Sequence, residues 1–104
     1  MLLPYDSRDQ VTSGVLAEAV AAGIPVVATG FPHASELLAN GAGIIVNHED
    51  PDSMAQALRI ILTADMVADA MRESAVLSAA NTSWAAVAEQ YRAIAATLAH
   101  MQVA

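Results

Sequence analysis

Thr12-Ser13-Gly14 stands directly before an Ala-rich stretch that ends at Gly23, and Pro25-Val26-Val27-Ala28-Thr29 follows at once. Ser and Thr favour helix N-caps, and Gly favours the position just past a helix. A helix is therefore predicted from Ser13, as N-cap, to Ala22, with Gly23 at C′. The free N–H groups and positive dipole end of such a helix suit an anion, phosphate above all. Gly14 carries no Cβ and so permits close approach to the backbone. Glu18 comes about one turn deeper, where a carboxylate can accept from sugar hydroxyls. Each feature also has an ordinary reading: a capped helix start for Ser13, Gly14 and Val15, and a solvated acid for Glu18.

Other reactive side chains offer less. His33 follows the second predicted strand, on the side where open α/β sheets hold ligands; the simpler reading is a loop histidine, exposed or capping the next helix. His48 and His100 read as surface residues, and no two histidines fall at metal-ligand spacing with an acid. Ser7 and Ser13 lack the G-x-S-x-G setting of a hydrolase nucleophile. Arg8 reads as half of a surface ion pair.

The elements that must position these groups follow from pattern. Leu2-Leu3-Pro4-Tyr5 reads as a strand end, residues 6–12 as a polar loop, and Pro25 to Thr29 as a buried strand. Gly30 to His33 is expected to be a loop, Ser35 to Asn40 a short helix closed by Gly41, and Gly43 to Val46 a third strand. Continuous apolar strands alternating with helices imply a parallel sheet covered on its faces. Only helices follow. Asp50 caps the first, with Pro51 at N1 and Met54, Leu58, Ile61 and Leu62 on one face. Asp65 caps the next, with Met66, Val67, Ala70 and Met71 inward. Ser83 caps the last, in which Trp84, Val87, Tyr91, Ile94 and Leu98 keep the helical period; Trp84 and Tyr91 are expected in the core. The fold class is thus α/β, a Rossmann-like three-layer fragment of three parallel strands followed by three helices that cover one face of the sheet.

The chain has 104 residues, enough for a single domain, of which 56% are hydrophobic, with mean hydropathy +0.45. No apolar run reaches the ~20 residues of a membrane span, and the N-terminus does not read as a signal peptide, so a cytoplasmic protein is expected. Its net charge of −7 with only four cations, all arginine, argues against nucleic acid and anionic membrane as partners. It has no cysteine, which excludes disulfides and thiolate metal sites. High Ala without Lys suggests a GC-rich bacterial genome. The surplus apolar surface and an unpaired strand edge are expected to meet a second copy or the remainder of a larger protein.

Gln10 to Thr29 reads Q-V-T-S-G-V-L-A-E-A-V-A-A-G-I-P-V-V-A-T. This resembles the signature E-G-F-G-L-x-x-x-E-A-x-A-x-G-x-P-V-V-A-T of retaining GT-B-fold glycosyltransferases of the group 1, family 4-like type. P-H-A-S-E (Pro32 to Glu36), G-A-G-I-I-V (Gly41 to Val46), D-P-D-S-M-A-Q-A (Asp50 to Ala57) and S-W-x-x-V-A-x-x-Y (Ser83 to Tyr91) match further blocks in the same order. The resemblance spans essentially the whole chain. It corresponds to the C-terminal part of the donor-binding domain, without the acceptor domain and without the upstream half that carries an Arg and a Lys against the diphosphate.

The resemblance implies a nucleotide-diphosphate sugar as donor, with no metal and no other cofactor. It places the diphosphate on the amides of Ser13, Gly14 and Val15, and the ribose on Glu18. Glu36 falls either near the nucleotide or at a cap of the short helix. Gln10 stands where the family has a catalytic Glu at the donor sugar. An amide still bonds sugar hydroxyls but does not stabilise an oxocarbenium ion as a carboxylate does, so either the donor sugar differs or other groups carry that role. Asp9 is the nearest acid that a shifted loop would bring there. The isolated chain is expected to bind nucleotide weakly and not to catalyse transfer. The competing reading is a stand-alone fragment acting as an interaction or oligomerisation module. A sugar-nucleotide 2-epimerase shares the fold, but its acid-rich motifs are missing from the sequence.

Overall fold

The computed structural model describes residues 1–6, 12–80 and 83–103. Three strands, β1 (Leu2–Leu3), β2 (Val26–Thr29) and β3 (Gly43–Val46), form one parallel sheet in the order β1-β2-β3. Leu3 pairs with Ala28, and Val27 with Ile44. The helices are α1 (Gly14–Ala21), α2 (Pro32–Leu37), α3 (Pro51–Thr63), α4 (Asp65–Ala80) and α5 (Trp84–Val103).

All of β2 is buried, and its alternation divides the interior. Val26 and Ala28 pack with Leu16, Ala19 and Val20 of α1, Phe31, Leu38 and Ala75 of α4. Val27 faces the other way and packs with Val46, Ala57 and the half-buried Met54, Leu58 and Ile61 around α3. The layers are therefore α/β/α, as the apolar strand runs imply.

The helix ends follow local chemistry. The Ser13 hydroxyl accepts from the Leu16 amide at 3.1 Å. At the other end Gly23 has φ +73°; its amide donates to Val20 O and that of Ile24 to Ala19 O, a Schellman motif. Asp50 caps α3 by accepting from the Ser53 amide and hydroxyl, with Pro51 in the first turn. The Ser83 hydroxyl accepts from the Ala86 amide at the start of α5.

Several expectations are corrected. The second helix opens at Pro32 rather than Ser35, because a proline fits N1, where its missing N–H is not needed. Asp65 lies in the first turn of α4, whose first amide bonds go to the carbonyl of Ala64. Leu62 and Met66 are exposed, 78% and 86%, since they flank the α3–α4 corner; Ala68, Met71 and Ala75 form the buried face of α4. The C-terminal helices do not share one face of the sheet. Beneath the sheet lies α3, whereas α4 packs beside α1, and among the described residues α5 contributes to neither apolar cluster. Trp84 is 90% exposed and Tyr91 72%, so neither is a core residue.

Candidate functional site

The carboxyl ends of the parallel strands are where loops converge in this architecture, and here the segment after β1 and the turn after β2 meet. The Thr29 hydroxyl, fully buried, donates to the Tyr5 carbonyl at 2.7 Å. Tyr5 also sets its ring edge-on against Phe31, with centroids 5.1 Å apart at 65°. The Tyr5 hydroxyl is 3.4 Å from Ser13 Oγ. These contacts tie the start of α1 to the end of β2 from below.

A further tie comes from above. The Ser13 amide donates to His33 Nδ1 at 2.9 Å. His33 is therefore neither a loop residue nor a helix cap of its own element. It is a half-buried residue of α2 that anchors the opening of α1. An imidazole that accepts through Nδ1 carries its proton on Nε2, which leaves a donor at this end of the sheet. No local spacing relates His33 to Ser13, twenty residues apart, so sequence reasoning missed the pairing.

Among the described residues, the amides of Gly14 and Val15 have no partner, because they occupy the first two helical positions. The Ser13 amide is engaged by His33, which narrows the predicted trio of free donors to two. Gly14 is exposed, and a Cβ built on it would meet nothing within 4 Å. Val15 is 46% exposed. Because Leu16, Ala19 and Val20 face the core, Glu18 stands on the solvent side of α1, four residues past Gly14 and three past Val15. Residues three and four apart share a helix face, so Glu18 stands on the same face as that opening.

Glu36 is exposed in the second half of α2, one turn past His33. It does not cap that helix, whose N-cap, Phe31, makes no side-chain cap bond. Gln10 lies outside the described residues, as do Ser7, Arg8 and Asp9. His48, expected at the surface, is half-buried, and its Nε2 is enclosed without a hydrogen-bond partner among the described residues. No group of three or more His, Asp or Glu suited to a metal ion occurs among the described residues. No described helix is long and apolar enough to cross a membrane.

Comparison with known proteins agrees with this architecture. A family model described as "Glycosyl transferases group 1" matches residues 1–64. A D-inositol 3-phosphate glycosyltransferase of Corynebacterium diphtheriae is 38% identical over 93 residues, 86% of this chain and 21% of its own length. The protein of the same name from Corynebacterium urealyticum is 40% identical over 77 residues, 73% of this chain and 18% of its own. The chain thus spans about a fifth of the length of these relatives. Among solved structures, sucrose-phosphate synthase from Thermosynechococcus elongatus superposes with a TM-score of 0.77, covering 96% of this chain and 25% of that one at 24% identity. That likeness establishes the fold.

Proposed function

Because this chain belongs to the group 1 glycosyl transferase family, we propose that it supplies the donor side of a sugar transfer, binding a nucleoside-diphosphate sugar at the opening of α1. The observation that carries the reading is the pair of exposed, unengaged amides of Gly14 and Val15, with Glu18 on the same face of the helix. The diphosphate accepts from these amides, and the α1 dipole adds favourable potential. The Glu18 carboxylate accepts from both ribose hydroxyls, a charge-assisted pair of bonds. Donor cleavage builds negative charge on the departing diphosphate, so oriented amides stabilise the charge that develops. In the donor state His33 acts indirectly, by fixing where the first turn of α1 begins.

Gln10, three residues before Ser13 in the sequence, takes the place next to the donor sugar in this proposal. Its amide positions the sugar by hydrogen bonds and adds no charge there. In a longer protein containing this segment, Gln10→Glu that abolishes turnover supports that role, and unaltered turnover removes it.

Calorimetric titration of the chain with UDP and with GDP tests the reading. One of the two is expected to bind, and Glu18→Ala to weaken it by about tenfold to a hundredfold, the loss of hydrogen bonds to a charged group. Absence of binding by both nucleotides refutes the donor site, and binding indifferent to Glu18→Ala refutes the part given to Glu18.

A further inference from the structure

The imidazole of His33 has two nitrogens, and Ser13 engages one of them. Nδ1 accepts from the Ser13 amide at 2.9 Å, which puts the proton of the neutral ring on Nε2. Among the described residues none accepts that proton. The side-chain nitrogen enclosed there without a partner is that of His48, so Nε2 of His33 opens to solvent. The ring itself is held. His33 is half-buried in α2, and its partner Ser13 is only 3% exposed. Its N–H is therefore a fixed donor rather than one on a swinging side chain.

Position along α1 gives this donor a ligand atom. Glu18 lies four residues past Gly14, about 6 Å deeper along the axis. The free amides of Gly14 and Val15 come next, at the opening. His33 comes last, since the amide it holds belongs to the N-cap, ahead of both. A nucleoside diphosphate has its parts in the same order: ribose, α-phosphate, β-phosphate. We infer that His33 donates from Nε2 to the β-phosphate and is a further ligand-binding residue, an inference that rests on the donor-site reading with the ribose at Glu18.

Electrostatics suits a neutral donor at this place. The chain has a net charge of −7. Of its described arginines, Arg72 and Arg92 are engaged by Asp69 and Glu89 of their own helices, and Arg59 belongs to α3, beneath the sheet. Among the described residues, then, no unpaired arginine stands on the α1 side, and N–H dipoles meet the diphosphate. The β-phosphate bears the bond to the sugar, so charge grows on it as the diphosphate departs. A hydrogen bond to it strengthens with that charge. The Ser13 amide, donating to Nδ1, polarises the N–H at the far side of the ring. His33 thus returns to the ligand the donor that Ser13 has given up.

Magnetic resonance titrations of the chain test this, with UDP or GDP, whichever binds, and with its monophosphate. His33→Asn keeps an oxygen near the place of Nδ1 for the Ser13 amide but has no group at the place of Nε2. It is expected to weaken the diphosphate by about tenfold to a hundredfold, the loss of a hydrogen bond to a charged group, and to leave the monophosphate within about twofold. Glu18→Ala should weaken both. Nitrogen-15 spectra of the parent, which need no variant to fold, should show the proton on Nε2 of His33 and a shift of that nitrogen with the diphosphate but not the monophosphate. Equal losses of the two nucleotides in His33→Asn overturn the inference, because His33 then acts only through Ser13. So does a proton found on Nδ1. If Glu18→Ala weakens binding and His33→Asn leaves it unchanged, the donor site stands and this inference alone falls. If neither diphosphate binds, both fall together.

Discussion

Gly43→Ala adds one methyl group where β2 and β3 approach each other. Gly43 pairs with Val26, and a Cβ at this position would lie 2.4 Å from the Val26 carbonyl oxygen. It would also lie 3.1 and 3.2 Å from the two methyl carbons of Leu38. Leu38 can rotate away, but the Val26 oxygen is backbone in a fully buried strand. Carbon and oxygen settle at about 3.3 Å or more, so the strands must separate locally by close to an ångström. Overpacking of this kind costs about 1–3 kcal/mol. In a domain of this size that lowers the melting temperature by about 4–8 °C per kcal/mol, hence by about 5–20 °C. Gly14→Ala is the matched control, with open space around its new methyl and a helix to favour alanine. It should melt at or above the parent temperature, by the equivalent of up to about 1 kcal/mol. Thermal melts followed by circular dichroism decide the matter. A Gly43→Ala melt within about 2 °C of the parent, or a Gly14→Ala melt that falls as far, would refute the close strand contact.

The donor-site prediction is joined here by two others. His33→Ala should destabilise the chain by up to about 1–3 kcal/mol, because the buried Ser13 loses the acceptor for its amide. His33→Asn, whose Oδ1 stands near the place of Nδ1, should recover most of the loss in a urea melt, and equal losses in both variants would exclude the hydrogen bond as the cause. The Ser53 hydroxyl, then the Ser53 amide, hold the Asp50 carboxyl below its ordinary value. A lowered folded-state value gives stability that is complete above the ordinary aspartate range and is lost as pH falls through the lowered one. Melting temperature should therefore drop below about pH 4, and less steeply in Asp50→Asn, which keeps a capping oxygen but does not titrate. Identical acid limbs in the two proteins would count against that linkage.

What was legible in the sequence is what neighbouring residues decide. Ser13, Gly23, Asp50 and Ser83 each act on backbone groups within a few positions, so the ends of α1 and the starts of α3 and α5 follow from spacing. The parallel sheet followed from strands without alternation, as both faces of β2 are covered. Pro32 misled because proline both ends and begins helices, and only the fold shows which applies. Trp84 and Tyr91 misled differently. Periodicity reveals that a helix has an apolar stripe, not whether this chain covers it. At the candidate site Gly14 and Glu18 were visible as types at a spacing. The acceptor of the Ser13 amide was not, because it arrives from another helix through the sheet.

Both apolar clusters lean on one short strand, Val26 and Ala28 from one side and Val27 from the other. Loosening α3 from Val27 bares a strand whose reverse is the footing of Leu16 and Leu38, so neither half has a wall of its own to fall back on. The sheet and the helices packed on it consequently come apart as a unit or not at all. The first turn of α1 then inherits its rigidity in part from the opposite layer of the fold, the packing of α3 under Val27.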